Sequence, residues 1–143
     1  MKAAVLVVGF VALTGCNSGP FPPGAMVGGT WGGNNAGLMA DDTSVHVHIG
    51  CTYGAVHEPI VLDMDSRFDV AGEQNITAHP VDLGILHPAR FVGSIDGRTM
   101  TLRVMLTDTA VTLGPVVLRF EKEPVMGPCP ICFGKRGRAR PVP

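Results

Sequence analysis

Short stretches of alternating apolar and polar residues recur along the chain, and each predicts a β-strand. The clearest is 45–49, where valine and isoleucine alternate with His46 and His48. The longest, 98–107, places four apolar side chains on one face: Met100, Leu102, Val104 and Leu106. Beyond the N-terminal apolar run, no segment has the spacing of an amphipathic helix. The pattern therefore predicts an all-β domain.

Weaker patterns complete the predicted sheet. Further strands are predicted after the bend at 50–54 and at 59–63, 67–72, 90–95, 111–113 and 116–120. Asp96-Gly97 is a strong signal for a two-residue hairpin turn, whereas 73–88 is irregular and predicts a loop. About eight short strands with hairpin-like connections favour a small up-and-down barrel, because closure removes exposed sheet edges. A two-sheet sandwich is the second choice.

The first residues have the layout of an export signal. Lys2 precedes an apolar run at 3–13, which is shorter than the roughly 20 residues that a membrane-spanning helix needs. Leu13-Thr14-Gly15-Cys16 follows at once and resembles the bacterial lipobox. The resemblance implies that 1–15 are a signal peptide, cleaved before Cys16, and that Cys16 carries the lipid. The alternative is a plain secreted protein in which Cys16 is incidental.

Composition divides the rest of the chain. Residues 16–29 are rich in proline and glycine and predict a tether, 30–120 form the predicted barrel, and 121–143 predict a basic, proline-rich tail that is largely disordered. Residues 16–120 contain five arginines, no lysine and ten acidic residues, so this region has a net charge of −5. An acidic body argues against nucleic-acid binding. The basic tail has a net charge of +3 and is expected to contact solvent, anionic lipid or the acidic body.

Three cysteines follow the lipobox: Cys51, Cys129 and Cys132. An exported protein meets oxidising conditions, so a disulfide is expected, and one of the three cysteines must remain outside it. The pair at 129 and 132 has redox spacing, but it lies in a proline-rich tail and not at the start of a helix. A structural zinc site would need a second such pair. A structural disulfide that uses Cys51 is favoured, with a local Cys129–Cys132 link as the alternative.

His46 and His48 are the candidate metal ligands. Residues two apart on a strand point to the same side, so these imidazoles could hold one zinc or copper ion. A third ligand would have to come from His57, His79 or His87. The alternative is that both histidines are simply the solvated face of an amphipathic strand.

Catalytic motifs are missing from the sequence. No Gly-x-Ser-x-Gly elbow occurs, and the glycine pairs at 28–29 and 32–33 lack the lysine and helix of a phosphate-binding loop. We therefore expect no enzyme and no resident cofactor apart from the candidate metal.

Several segments of the body resemble small exported bacterial β-barrel domains of unassigned function; they are 31–33, 50–54, 59–63, 67–72, 93–97 and 100–102. The resemblance implies a fold and an exported location, and no activity.

The combined expectation is a lipid-anchored envelope protein, on the periplasmic side or at the cell surface, that serves as a non-catalytic binding or structural module. Its partner would be the membrane together with an unknown protein or small molecule. One alternative is an envelope enzyme inhibitor, like the lysozyme-inhibitor lipoproteins in architecture, with 73–88 as the inhibitory loop. The other is a metal-binding protein using His46 and His48.

Overall fold

Eight antiparallel strands, joined in chain order, close into a barrel in the computed structural model, which describes residues 19–129. The strands are β1 (Gly29–Gly33), β2 (Ala36–Ala40), β3 (Val45–Ile49), β4 (Thr52–Val56), β5 (Arg67–Asn75), β6 (His87–Asp96), β7 (Thr99–Leu106) and β8 (Thr112–Phe120). β1 pairs with β8 to close the ring, with Trp31 opposite Phe120. The all-β class and the up-and-down barrel are confirmed, and the sandwich is excluded.

The connections alternate between two rims because each strand runs opposite to its neighbours. The turns after β2, β4 and β6 lie at one rim, which we call the lower rim. The turns after β1, β3, β5 and β7 lie at the other, the upper rim. The N-terminal segment 19–28 is at the lower rim, where Gly19 lies against Gly97 in the β6–β7 turn.

The interior of the barrel is filled by the inward residues of the strands. Trp31, Phe91 and Leu118 are fully buried there. The predicted inward face of β7 is also buried: Met100, Leu102, Val104 and Leu106. Burial of these large side chains supplies most of the driving force for folding. Because side chains fill the described core, the mouth of the barrel is disfavoured as a binding site for a small molecule.

The lower rim is closed by two segments that pack on each other. Val27, Ile60 and Leu62 are buried, and backbone bonds run from Val27 N–H to Ile60 O (2.8 Å) and from Leu62 N–H to Ala25 O (2.9 Å). The strand expected at 59–63 is thus a loop that makes only an isolated bridge, between Val61 and Met26.

The expected tether at 16–29 needs correction over its described part. Residues 19–28 belong to the folded domain, because their apolar side chains pack against the barrel. The Phe21 ring lies 5.2 Å from the Trp31 ring and 4.9 Å from the Phe120 ring, measured between centroids. Proline and glycine content alone therefore overestimated the length of the tether. Residues 1–18, with the lipobox and Cys16, lie outside the described residues.

The expected tail at 121–143 needs a similar correction. Residues 121–129, which we call the strap, leave β8 at the lower rim and cross the outside of β1 to the upper rim. Val125 bonds to the β1–β2 turn through Gly33 O (3.0 Å) and Asn35 N–H (2.7 Å). The absence of a side chain at Gly32 is what lets the strap lie so close, because a Cβ there would meet the backbone of Lys122 and Glu123. Residues 130–143, with Cys132 and the basic cluster, lie outside the described residues.

Candidate functional site

A disulfide joins Cys51 to Cys129, across 78 positions of the sequence. Cys51 lies in the β3–β4 turn at the upper rim, and Cys129 ends the strap. The prediction that Cys51 forms the structural bridge is confirmed, and the local Cys129–Cys132 link is excluded. The bridge fixes the end of the strap next to β3 and so defines one wall of a groove.

That groove contains the two candidate metal-binding histidines. His46 and His48 are exposed on the outer face of β3, as the alternation predicts. Across the sheet, His46 is opposite Met39 and His48 is opposite Gly37, both on β2. β2 and β3 form one wall of the groove and the strap forms the other, and the groove has a volume of about 380 Å³. Its lining includes both histidines, Met39, Glu123, Pro124 and Met126.

The other histidines do not complete a site with His46 and His48. His57 pairs with Glu73 (Nε2–Oε1 2.6 Å), and His87 pairs with Asp108 (Nδ1–Oδ2 2.8 Å). His79 lies in the β5–β6 connection, near Asp82. Within residues 19–129, no three side chains among histidine, cysteine, aspartate and glutamate form a cluster that could hold a metal ion. A zinc site of the usual ligand types is therefore not supported in this part of the chain.

A second candidate is the connection between β5 and β6, residues 76–86, which we call the upper loop. Four of its large apolar side chains are exposed, the most exposed being Leu83 at 65%: Val81, Leu83, Ile85 and Leu86. The sequence predicted a loop over 73–88; the structure shortens it, because β5 continues to Asn75 and β6 begins at His87. The four apolar residues between Pro80 and Pro88 are the signal that marks it as a contact surface.

The upper loop is held in place by Asp82. Its Oδ1 accepts bonds from Gly84 N–H (2.7 Å) and Asn75 Nδ2 (2.8 Å), and its Oδ2 accepts one from Tyr53 Oη (2.8 Å). The Gly84 N–H contributes most to lowering the pKa of Asp82, followed by the bonds from Tyr53 and Asn75. The loop thus carries its apolar side chains on a backbone fixed by hydrogen bonds to β4 and β5.

Two buried polar residues lie beneath this loop. Asn75 accepts bonds at Oδ1 from the Thr77 N–H (2.7 Å) and hydroxyl (3.1 Å), which anchors the start of the loop. Gln74 points into the barrel and donates from Nε2 to Thr52 Oγ1 (2.9 Å), while its Oε1 is buried with no hydrogen-bond partner. Asn75 therefore orders the loop, whereas Gln74 bears an unsatisfied acceptor.

Comparison with known proteins assigns nothing further: no protein-family model, no curated protein and no solved structure matches the chain. Within the described range, no α-helix reaches the length and hydropathy that crossing a bilayer requires.

Proposed function

We propose that this chain is a lipid-anchored, non-catalytic module of a bacterial cell envelope, and that it binds a protein partner through the upper loop. The observation that carries the proposal is the exposure of Val81, Leu83, Ile85 and Leu86 on a loop fixed by Asp82. A fixed loop loses little conformational freedom when a partner binds, so its apolar area contributes more fully to affinity.

The position of the proposed anchor supports this arrangement. Cys16 lies three positions before Gly19, and three residues of extended chain span about 10 Å. Because Gly19 is at the lower rim, a lipid on Cys16 would keep that rim close to the bilayer. The upper loop would then project away from the membrane, toward other envelope components.

An envelope enzyme inhibitor is the second candidate. The same ordered, protruding loop favours it, because an inhibitor must present a fixed segment to the active site of its target. Direct inhibition assays on lysozyme with the wild type and with Leu83→Ser test this candidate. Inhibition that the substitution abolishes would support it, and absence of inhibition by the wild type would remove it.

The anchor and the partner are tested separately. Mass spectrometry of the mature protein should show cleavage before Cys16 and acylation of that residue. The Cys16→Ala variant should no longer be found in the membrane fraction. An uncut, unacylated chain in the native host would overturn the anchor.

For the partner, a photo-crosslinking amino acid is placed at Leu83, with position Met64 as the matched control. Met64 is 82% exposed and lies in the β4–β5 connection at the lower rim. A discrete protein adduct from position 83 in intact cells, not formed from position 64, is the expected result. Equal labelling from both positions, or none from position 83, would refute binding through the upper loop.

A further inference from the structure

Two exposed methionines flank the histidine pair, and no spacing or alternation in the sequence links these methionines to the histidines. Met39 is 63% exposed on the outer face of β2, and Met126 is 43% exposed on the strap. Both line the groove that His46 and His48 also line. The groove therefore combines two thioethers and two imidazoles.

The register of the sheet brings Met39 to the histidines. Met39 and His46 are direct partners on neighbouring antiparallel strands. Side chains at such positions have Cβ atoms about 4.5–5.5 Å apart. A thioether on a flexible side chain and an imidazole at this separation can reach a common ion.

Met126 approaches from the opposite wall. The strap is fixed on both sides of it: Pro124 lies against Gly37, the partner of His48, and the Gly127 N–H donates to Asn35 Oδ1 (3.1 Å). The Cys51–Cys129 bridge holds the strap two residues further on. Met126 is thereby held in the lining of the groove, together with Met39 and both histidines.

The mixture of ligands decides which ion would fit. Zinc sites in proteins use cysteine, histidine and carboxylates, and the described residues offer no cluster of three of these. Thioether sulfur is a soft ligand that selects Cu(I), and imidazole also suits copper. Glu123 lines the groove too and adds a negative charge that favours a cation.

We propose that Met39, Met126, His46 and His48 form a binding site for one Cu(I) ion. The ion binds in the oxidation state in which it is supplied, so no electron transfer is involved. The site depends on the barrel and the strap, and not on the lipid anchor or the upper loop. Its failure would leave the proposed function unchanged.

The test uses the full chain carrying Cys16→Ser and Cys132→Ser, so that no thiolate at those positions competes for copper. Cu(I) is supplied anaerobically with ascorbate, and its affinity is measured by competition with a chromogenic Cu(I) chelator. We expect one Cu(I) per chain. Met39→Leu and Met126→Leu should each weaken binding about tenfold or more, which corresponds to about 1.4 kcal/mol or more.

Met64→Leu is the matched control, because Met64 is 82% exposed and does not line the groove. It should leave the affinity unchanged. X-ray absorption of the Cu(I) protein should show copper–sulfur scattering that the Met39→Leu/Met126→Leu double variant loses. Absence of Cu(I) binding, or binding that the double variant retains in full, would overturn the site. A thiol count showing that the copper had bound at an opened Cys51–Cys129 bridge would overturn it too.

Discussion

Replacing both Cys51 and Cys129 by serine should destabilise the barrel by several kcal/mol, although every strand keeps its hydrogen bonds. The bridge closes a loop across 78 positions, and in the chain-entropy model such a loop restricts the unfolded state by about 15 cal/mol/K. At 25 °C this corresponds to about 4.5 kcal/mol of stability. For a domain of this size, a loss of that magnitude lowers Tm by on the order of 20 °C.

Urea denaturation followed by circular dichroism measures this loss directly. The double serine variant should unfold at a lower urea concentration and with a steeper dependence on urea, because its unfolded chain exposes more surface. Wild type treated with a reductant should match it. Cys132→Ser is the control and should unfold like the oxidised wild type, because Cys132 is not in the bridge.

A double variant within about 1 kcal/mol of wild type would refute the reasoning. It would mean that the unfolded chain already keeps residues 51 and 129 close together, so that the bridge removes little entropy. An unchanged urea dependence would point to the same conclusion.

Three further predictions concern the strap, the upper loop and pH. Gly32→Ala should cost about 1–3 kcal/mol in urea denaturation and speed proteolysis after Lys122, because its Cβ would meet the strap backbone, whereas Gly28→Ala, with the nearest atom at 3.9 Å, should be tolerated. Asn75→Ala should accelerate hydrogen exchange at the Thr77 and Gly84 amides and cost about 1–3 kcal/mol, while Gln74→Leu should stay within about 1 kcal/mol of wild type because it also removes an unsatisfied acceptor. Hydrogen bonds from the Thr43 side chain and backbone and from the Ser44 backbone lower the pKa of Asp41 from 3.8 to about 2. Because the pKa of Asp41 is lower in the folded state than in the unfolded state, its ionised carboxylate stabilises the fold. This contribution to the free energy of unfolding should be complete above pH 3.8 and lost as the pH falls through about 2. Asp41→Asn should flatten stability across this window, and an unchanged pH dependence would contradict the assignment.

The strands with regular alternation were predictable, because alternation is a local property of the chain. β3 and β7 match their predicted positions closely. The predicted hairpin turn joins β6 to β7 one residue later than expected, at Gly97-Arg98, with Asp96 ending β6 and Gly97 at a φ of +59°. The break expected at Gly114-Pro115 is instead accommodated within β8, where the register with β7 shifts: Leu102 is opposite Val116 and Val104 is opposite Leu113, so β8 has one extra residue there. The Gly-Pro pair, which locally predicts the end of a strand, therefore does not end β8, because the sheet accommodates it as an irregularity.

β1 and β2 have weak strand patterns for a reason that lies elsewhere in the chain. Gly32 and Gly37 face the strap, which comes more than 80 positions later in the sequence. Glycine lowers strand propensity locally, but here it provides the space in which the strap packs. No local window contains both parts of that contact.

For the candidate sites too, some features could be predicted from the sequence and others could not. The sequence identified His46 and His48 as neighbours on one face, the loop after β5, and Cys51 as a partner in a disulfide. Only the tertiary structure decided that Cys129 is the partner of Cys51 and that Met39 and Met126 share a groove with the histidines. Side-chain periodicity depends on neighbouring residues and can be found in the sequence. The convergence of β2, β3 and the strap depends on barrel closure, which brings together segments far apart in the chain.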